Sequence, residues 1–131
     1  MGITRIDNIG LAVRDVRTVA DFLSAKLGLT VTPSFEAEPP AATADIGDPY
    51  LYLFQTGTGR EREPRSLALE ANPPGIDHIS LTVDDVDAVY RDLRRRGVEF
   101  EGEPETDPAW GIRLVGFRDP EGNSYFLVQN P

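Results

Sequence analysis

A chain of 131 residues with 40% hydrophobic and 27% charged residues has the make-up of one ordinary globular domain, or of two small modules sharing a core. No apolar run nears the roughly 20 residues needed to cross a bilayer, no signal peptide is expected, and the absence of cysteine excludes disulfides, thiolate metal sites and a cysteine nucleophile. The net charge of -9 argues against a nucleic-acid partner and suits either a cationic ligand or plain solubility. A cytoplasmic protein with no membrane contact is the expectation.

Residues 6–13 alternate, with Ile9, Leu11 and Val13 on one face and Asn8, Gly10 and Ala12 on the other, the period of a strand. Asp15 is a suitable N-cap for a helix whose stripe is Val16, Val19, Ala20, Leu23 and Leu27, ending at Gly28. A second strand over 29–35 follows, then a Pro- and acid-containing loop over 36–41, a weak strand over 42–46 and a turn at Asp48-Pro49. Tyr50–Gln55 is a strong strand with Tyr50, Tyr52 and Phe54 on one face. The order is β-α-β-β-β.

The same order then repeats. At an offset of 70, positions 6/76, 7/77, 9/79, 11/81, 13/83, 15/85 and 16/86 are identical, which marks two copies of one unit. Asn8 in the first copy stands where the second has His78, the chain's one histidine. The second copy predicts a strand over 76–83, with Ile79, Leu81 and Val83 opposite His78, Ser80 and Thr82. A helix over 86–96 follows, with Val86, Val89, Tyr90 and Leu93 inward and Gly97 closing it, then strands over 98–100 and 110–117. Asp119 to Asn123 is a turn and Ser124–Gln129 the last strand. The organisation is an α+β fold of two βαβββ modules, 1–57 and 74–131, joined by a charged linker over 58–73 in which 66–69 is extended. In each first strand the apolar face packs under the following helix. The small or polar face is then either a cavity wall or a solvated sheet face.

The doubled order resembles the vicinal-oxygen-chelate superfamily of glyoxalase I, extradiol dioxygenases, fosfomycin-modifying enzymes and bleomycin-resistance proteins. So do the opening from Ile76 to Ala88 and the close from Trp110 to Gln129, which carries Trp110-Gly111 and Asp119-Pro120-Glu121-Gly122-Asn123. The resemblance implies curved mixed sheets around a central cup, and commonly a homodimer. In metal-dependent members the first and fourth strands of each module supply His or Gln and then Glu; the matching positions here hold Asn8, Tyr52, His78 and Phe126. A catalytic metal needs about three protein ligands and an open position. No metal and no cofactor are therefore expected.

Tyr50, Tyr52 and Phe54 on one strand face, and Phe126 with Ser124 and Val128 on another, either fill the core or line a site for a flat organic ligand. Trp110 follows the acids Glu101, Glu103, Glu105 and Asp107, an arrangement that attracts a cation. His78 is a general base or a donor to ligand, or a group that bonds within the sheet. The expected ligand-binding set is Asn8, Tyr50, Tyr52, Phe54, His78, Trp110 and Phe126, with His78 the candidate catalytic residue. Two functions stay open: a metal-free binding protein that sequesters a small aromatic or cationic compound, as bleomycin-resistance proteins do, and a metal-independent isomerase, lyase or cyclase using His78 as acid or base. A degenerate module for protein interaction is a third.

Overall fold

The computed structural model describes residue 2, residues 5–57 and residues 65–131. The chain divides into two compact units, Met1–Glu61 and Arg62–Pro131. Each is a four-stranded mixed sheet with one α-helix, so the fold is α+β, built twice.

The first unit runs β1 (Asn8–Val13), α1 (Val16–Asp21), β2 (Thr30–Ser34), β3 (Ala41–Asp45) and β4 (Tyr50–Gln55), with sheet order β1-β4-β3-β2. β1 and β4 are parallel neighbours, which requires a crossover between them, and the helix belongs to that crossover. The apolar face of the sheet (Val13, Ala42, Ala44, Leu51, Leu53) is buried, as are Val16, Val19 and Ala20 of α1. The helix starts where Asp15 accepts from the Arg17 and Thr18 amides and the Gln55 side chain accepts from the Val16 amide at 3.2 Å.

The expected helix to Leu27 is α-helical only to Asp21; Phe22–Lys26 forms a π-helical turn, closed by the Leu27 amide on the Phe22 carbonyl at 3.2 Å. An α-helical stripe would bring Leu23 inward and leave Phe22 at its edge, whereas both are buried here. Gly28, at φ 73, then turns the chain out of the helix.

The second unit runs β5 (His78–Thr82), α2 (Val86–Arg95), β6 (Glu105–Thr106), β7 (Arg113–Arg118) and β8 (Ser124–Gln129), with sheet order β5-β8-β7-β6. The capping repeats: Asp85 accepts from the Ala88 amide, and the Gln129 side chain from the Val86 amide at 2.8 Å. Its core is more aromatic. Phe117 stacks on Tyr125 at 5.1 Å, and Phe100 meets Phe117 and Tyr90 edge-on at 5.5 and 4.8 Å.

A buried carboxylate, Asp119, organises the last turn. It accepts from the Glu121 amide (2.9 Å), the Asn123 amide (3.0 Å) and side chain (2.9 Å), and the Tyr125 hydroxyl (2.8 Å). Burial, with the adjacent Asp119 charge, pushes the Tyr125 phenol well above its ordinary value, so the hydroxyl remains a donor.

Three expectations in this unit are corrected. The strand over 98–100 is reduced to a single bridge, Phe100 to Phe117, and the ladder resumes only at Glu105. Gly102 and Pro104 lie in the gap, and proline has no amide to donate. Trp110 and Gly111 precede the strand: Asp107 caps the Ala109 amide at 2.8 Å, its carbonyl accepts from the Gly111 amide at 2.8 Å, and Gly111 takes φ 69. Residues 66–69 are not a strand, and Leu69–Ala71 is a 3₁₀ turn.

That segment is fastened to the second unit. The Asn72 side chain bonds the Ser66 amide and carbonyl, both at 2.8 Å, and Arg65 donates to the Pro73 carbonyl at 2.6 Å. Asp77 receives the Asn72 amide at 2.8 Å and the Arg65 guanidinium at 3.4 Å, and shares a 2.8 Å hydrogen bond with the His78 ring. Leu67 then lies over Gly116, where an added Cβ would stand 2.8 Å from Leu67 Cδ1 and 3.1 Å from Phe126 Cε1. Of the charged cluster expected in the linker, Arg60 to Glu63 lie outside the described residues.

Asp119→Ala removes four hydrogen bonds and strands the Tyr125 hydroxyl; a loss of about 3 kcal/mol in urea-unfolding free energy is expected. The His78 hydrogen bond, then Asn72 and the Arg65 charge, hold the Asp77 carboxyl below its ordinary value. A depressed carboxyl lends stability that is present above its unfolded pKa of about 3.9 and lost as pH falls through the lower folded value. The amide-exchange protection factor of Ser66 should thus hold down to about pH 4 and fall below it; Asp77→Asn should show no such step.

Candidate functional site

On the first sheet, strand pairing sets Asn8 beside Tyr50, Gly10 beside Tyr52 and Ala12 beside Phe54, all on the face opposite the buried one. The Asn8 side chain donates to Asp7 at 3.0 Å, and the Tyr50 hydroxyl to the same carboxylate at 3.4 Å. Tyr52 and Phe54 stack with centroids 5.7 Å apart. Both are only half-buried, so this aromatic strip is not core. Gly10 keeps it open: a Cβ there would meet nothing nearer than Phe54 at 3.9 Å.

On the second sheet the corresponding face is three cross-strand rows: His78, Ser124 and Arg118; Ser80, Phe126 and Gly116; Thr82, Val128 and Leu114. His78 is half-buried. Its Nδ1 bonds Asp77, which turns the ring edge-on to Phe126 at 4.8 Å. Phe126 itself is 6% exposed.

Beside this contact lies a cavity of about 550 Å³. Its floor is apolar, made by Leu67, Leu114, Gly116 and Phe126, and its rim is Glu101, Glu103, Glu105 and Asp107. Glu101 is ion-paired with Arg118. Trp110 is 77% exposed on the turn beyond the rim, its amide 3.4 Å from the Asp107 carboxylate, and it does not line the cavity.

The four positions at which metal-dependent relatives hold ligands carry a poor donor set. The Tyr52 ring stacks on Phe54 and the Phe126 ring packs against His78, leaving one imidazole and one amide. Among the described residues no three His, Cys, Asp or Glu side chains gather closely enough to hold a metal ion. These residues do not fit the family's metal.

The expected site residues therefore form groups. Asn8, Tyr50, Tyr52 and Phe54 share one face of the first unit; His78 and Phe126 touch in the second; Trp110 stands apart, tied to the acidic rim through Asp107. Sequence reasoning missed Arg118, Gly116 and Leu67. The first two follow from period-2 alternation along β7, once its register with β8 is known. Leu67 carried no signal, because its stretch has no helical or strand periodicity and its place over Gly116 is a tertiary contact.

Among the described residues no helix is long and apolar enough to cross a membrane. The family model of the glyoxalase/bleomycin resistance protein/dioxygenase superfamily matches residues 5–125. The uncharacterized protein YraH of Bacillus subtilis is 33% identical over 118 residues, 88% of this chain and 90% of that protein. A superfamily member from Sphaerobacter thermophilus superposes with a TM-score of 0.75 at 28% identity, covering 99% of this chain and 100% of that one. TnmS3, an antibiotic binding protein from Streptomyces sp. CB03234, superposes with a TM-score of 0.74 at 26% identity, covering 100% and 99%. Two βαβββ units, a doubled sheet order and a match across nearly the whole length agree: the chain belongs to the glyoxalase/bleomycin resistance protein/dioxygenase superfamily.

Proposed function

We propose that this protein binds a small, flat, cationic organic compound without a metal, sequestering it as an antibiotic-binding protein does. The observation that carries this reading is the cavity of the second unit, with its apolar floor and its rim of four carboxylates. At about 550 Å³ it falls within the range of small-molecule sites. An aromatic body gains by leaving water for the Phe126 and Leu114 floor, while a positive charge stays at the rim. The likeness to TnmS3, an antibiotic binding protein, supports binding of a small organic molecule. The aromatic strip of Tyr50, Tyr52 and Phe54, with Asn8, offers a second apolar face of the same character. We take the protein to act in the cytoplasm, as its cysteine-free composition suggests, and as a homodimer, as the resemblance implies; light scattering would give the mass.

The Asp77–His78 pair favours one alternative, a metal-independent isomerase, lyase or cyclase. A carboxylate 2.8 Å from Nδ1 orients the ring and leaves Nε2 for proton transfer.

Titration with acridinium dyes and related flat cations should quench Trp110 and return the compound unchanged. Glu103→Gln with Glu105→Gln should weaken binding roughly tenfold at low salt, an effect that shrinks as salt screens the rim. If no flat cation binds, the sequestration reading fails. Product formation that His78→Ala abolishes while the melting temperature holds would establish the enzyme instead.

A further inference from the structure

Two buried donors in the second unit have nothing to donate to. Among the described residues, Ser124 Oγ and Arg118 Nε are the buried side-chain polar atoms without a hydrogen-bond partner. They belong to one cross-strand pair of the β7–β8 ladder, on the face that carries Phe126 and Gly116. Directly paired side chains of such a ladder have Cβ atoms about 5 Å apart. Ser124 is 4% exposed.

The fold spends its other polar groups differently. Asp119, equally buried, has every contact of its turn filled, and the remaining nitrogens of Arg118 are engaged, Nη1 by Glu101 and Nη2 by the Arg65 carbonyl at 2.6 Å. An unpaired buried donor is uncommon and destabilising. Two in one pair, with a half-buried imidazole on the third strand of the row, mark a place built for something absent from the chain.

We propose that Ser124 Oγ and Arg118 Nε form a subsite for an acceptor oxygen of the ligand, a carbonyl or carboxylate, with His78 as the neighbouring wall. Both atoms offer a proton, so their shared partner is an oxygen with free lone pairs. The next row along the strands, Phe126 and Gly116, lines the acid-rimmed cavity. The subsite thus extends the ligand reading above, on which it rests. The compound is an aromatic cation that also carries a carbonyl or carboxylate.

The test compares 4-(aminomethyl)benzamide with 4-methylbenzylamine, which has the same ring and cation but no acceptor oxygen, by NMR titration. The benzamide should bind at least fivefold tighter and shift the Arg118 Nε–H resonance. Ser124→Ala should erase that advantage, leave the methyl compound's affinity unchanged and not lower the melting temperature, because the hydroxyl it removes has no partner in the fold. Equal affinities, or an advantage that survives Ser124→Ala, would overturn the subsite while leaving the cavity reading intact. A lower melting temperature for Ser124→Ala would overturn it as well, since the donors would then be satisfied by a structural water. If neither amine binds, the cavity reading has failed and the subsite falls with it.

Discussion

In each unit a glutamine at the end of the last strand accepts a hydrogen bond from the first amide of the helix, Gln55 from Val16 and Gln129 from Val86. This bond ties the far end of the chain segment to the point where the crossover begins, and it holds the first and last strands as parallel neighbours. Parallel pairing then decides everything across the sheet. Because side chains alternate, one face is given to the helix and the other is free. His78 stands beside Ser124, and Asn8 beside Tyr50, because of this closure and for no local reason.

The local parts of the architecture were legible in the residues. Asp15 marked the first helix start, Gly28 and Gly97 the helix ends, and alternation in Tyr50–Gln55 and Ser124–Gln129 gave strands with the right faces. What was not legible depended on tertiary contact. The π-helical turn exists because both Phe22 and Leu23 have a place to bury, which no periodicity states. The stretch from Arg65 to Asn72 has no pattern of its own and takes its form from hydrogen bonds to Asp77 and Arg118. The site was half visible. Phe126 and the acidic loop were singled out from residue type and position, but the cavity they line also takes Leu67 and Gly116, and His78 lies beside it against Phe126.

Charge is partitioned in a way the net value hides. Arginines of the second unit act as clamps: Arg113 grips Asp87 of α2 with two bonds of 2.8 and 2.9 Å, Arg65 reaches Asp77, and Arg118 pairs with Glu101. Each of these binds one part of the fold to another. Of the rim carboxylates, Asp107 caps the turn that carries Trp110, while Glu103 and Glu105 hold no such partner among the described residues, so their field is available to a ligand.

The matching glutamines also measure how the two copies have drifted. Val13 and Val83 stand 70 apart in the chain, while Gln55 and Gln129 stand 74 apart, so the second copy is longer after its first strand. The helix-ending glycines, Gly28 and Gly97, stand 69 apart, so the extra length falls between Gly97 and the last strand, the stretch that holds the acidic rim. The same frame occurs twice in the chain, and the length of one connecting loop makes the two copies unequal. The two halves therefore share one frame but present different surfaces on it.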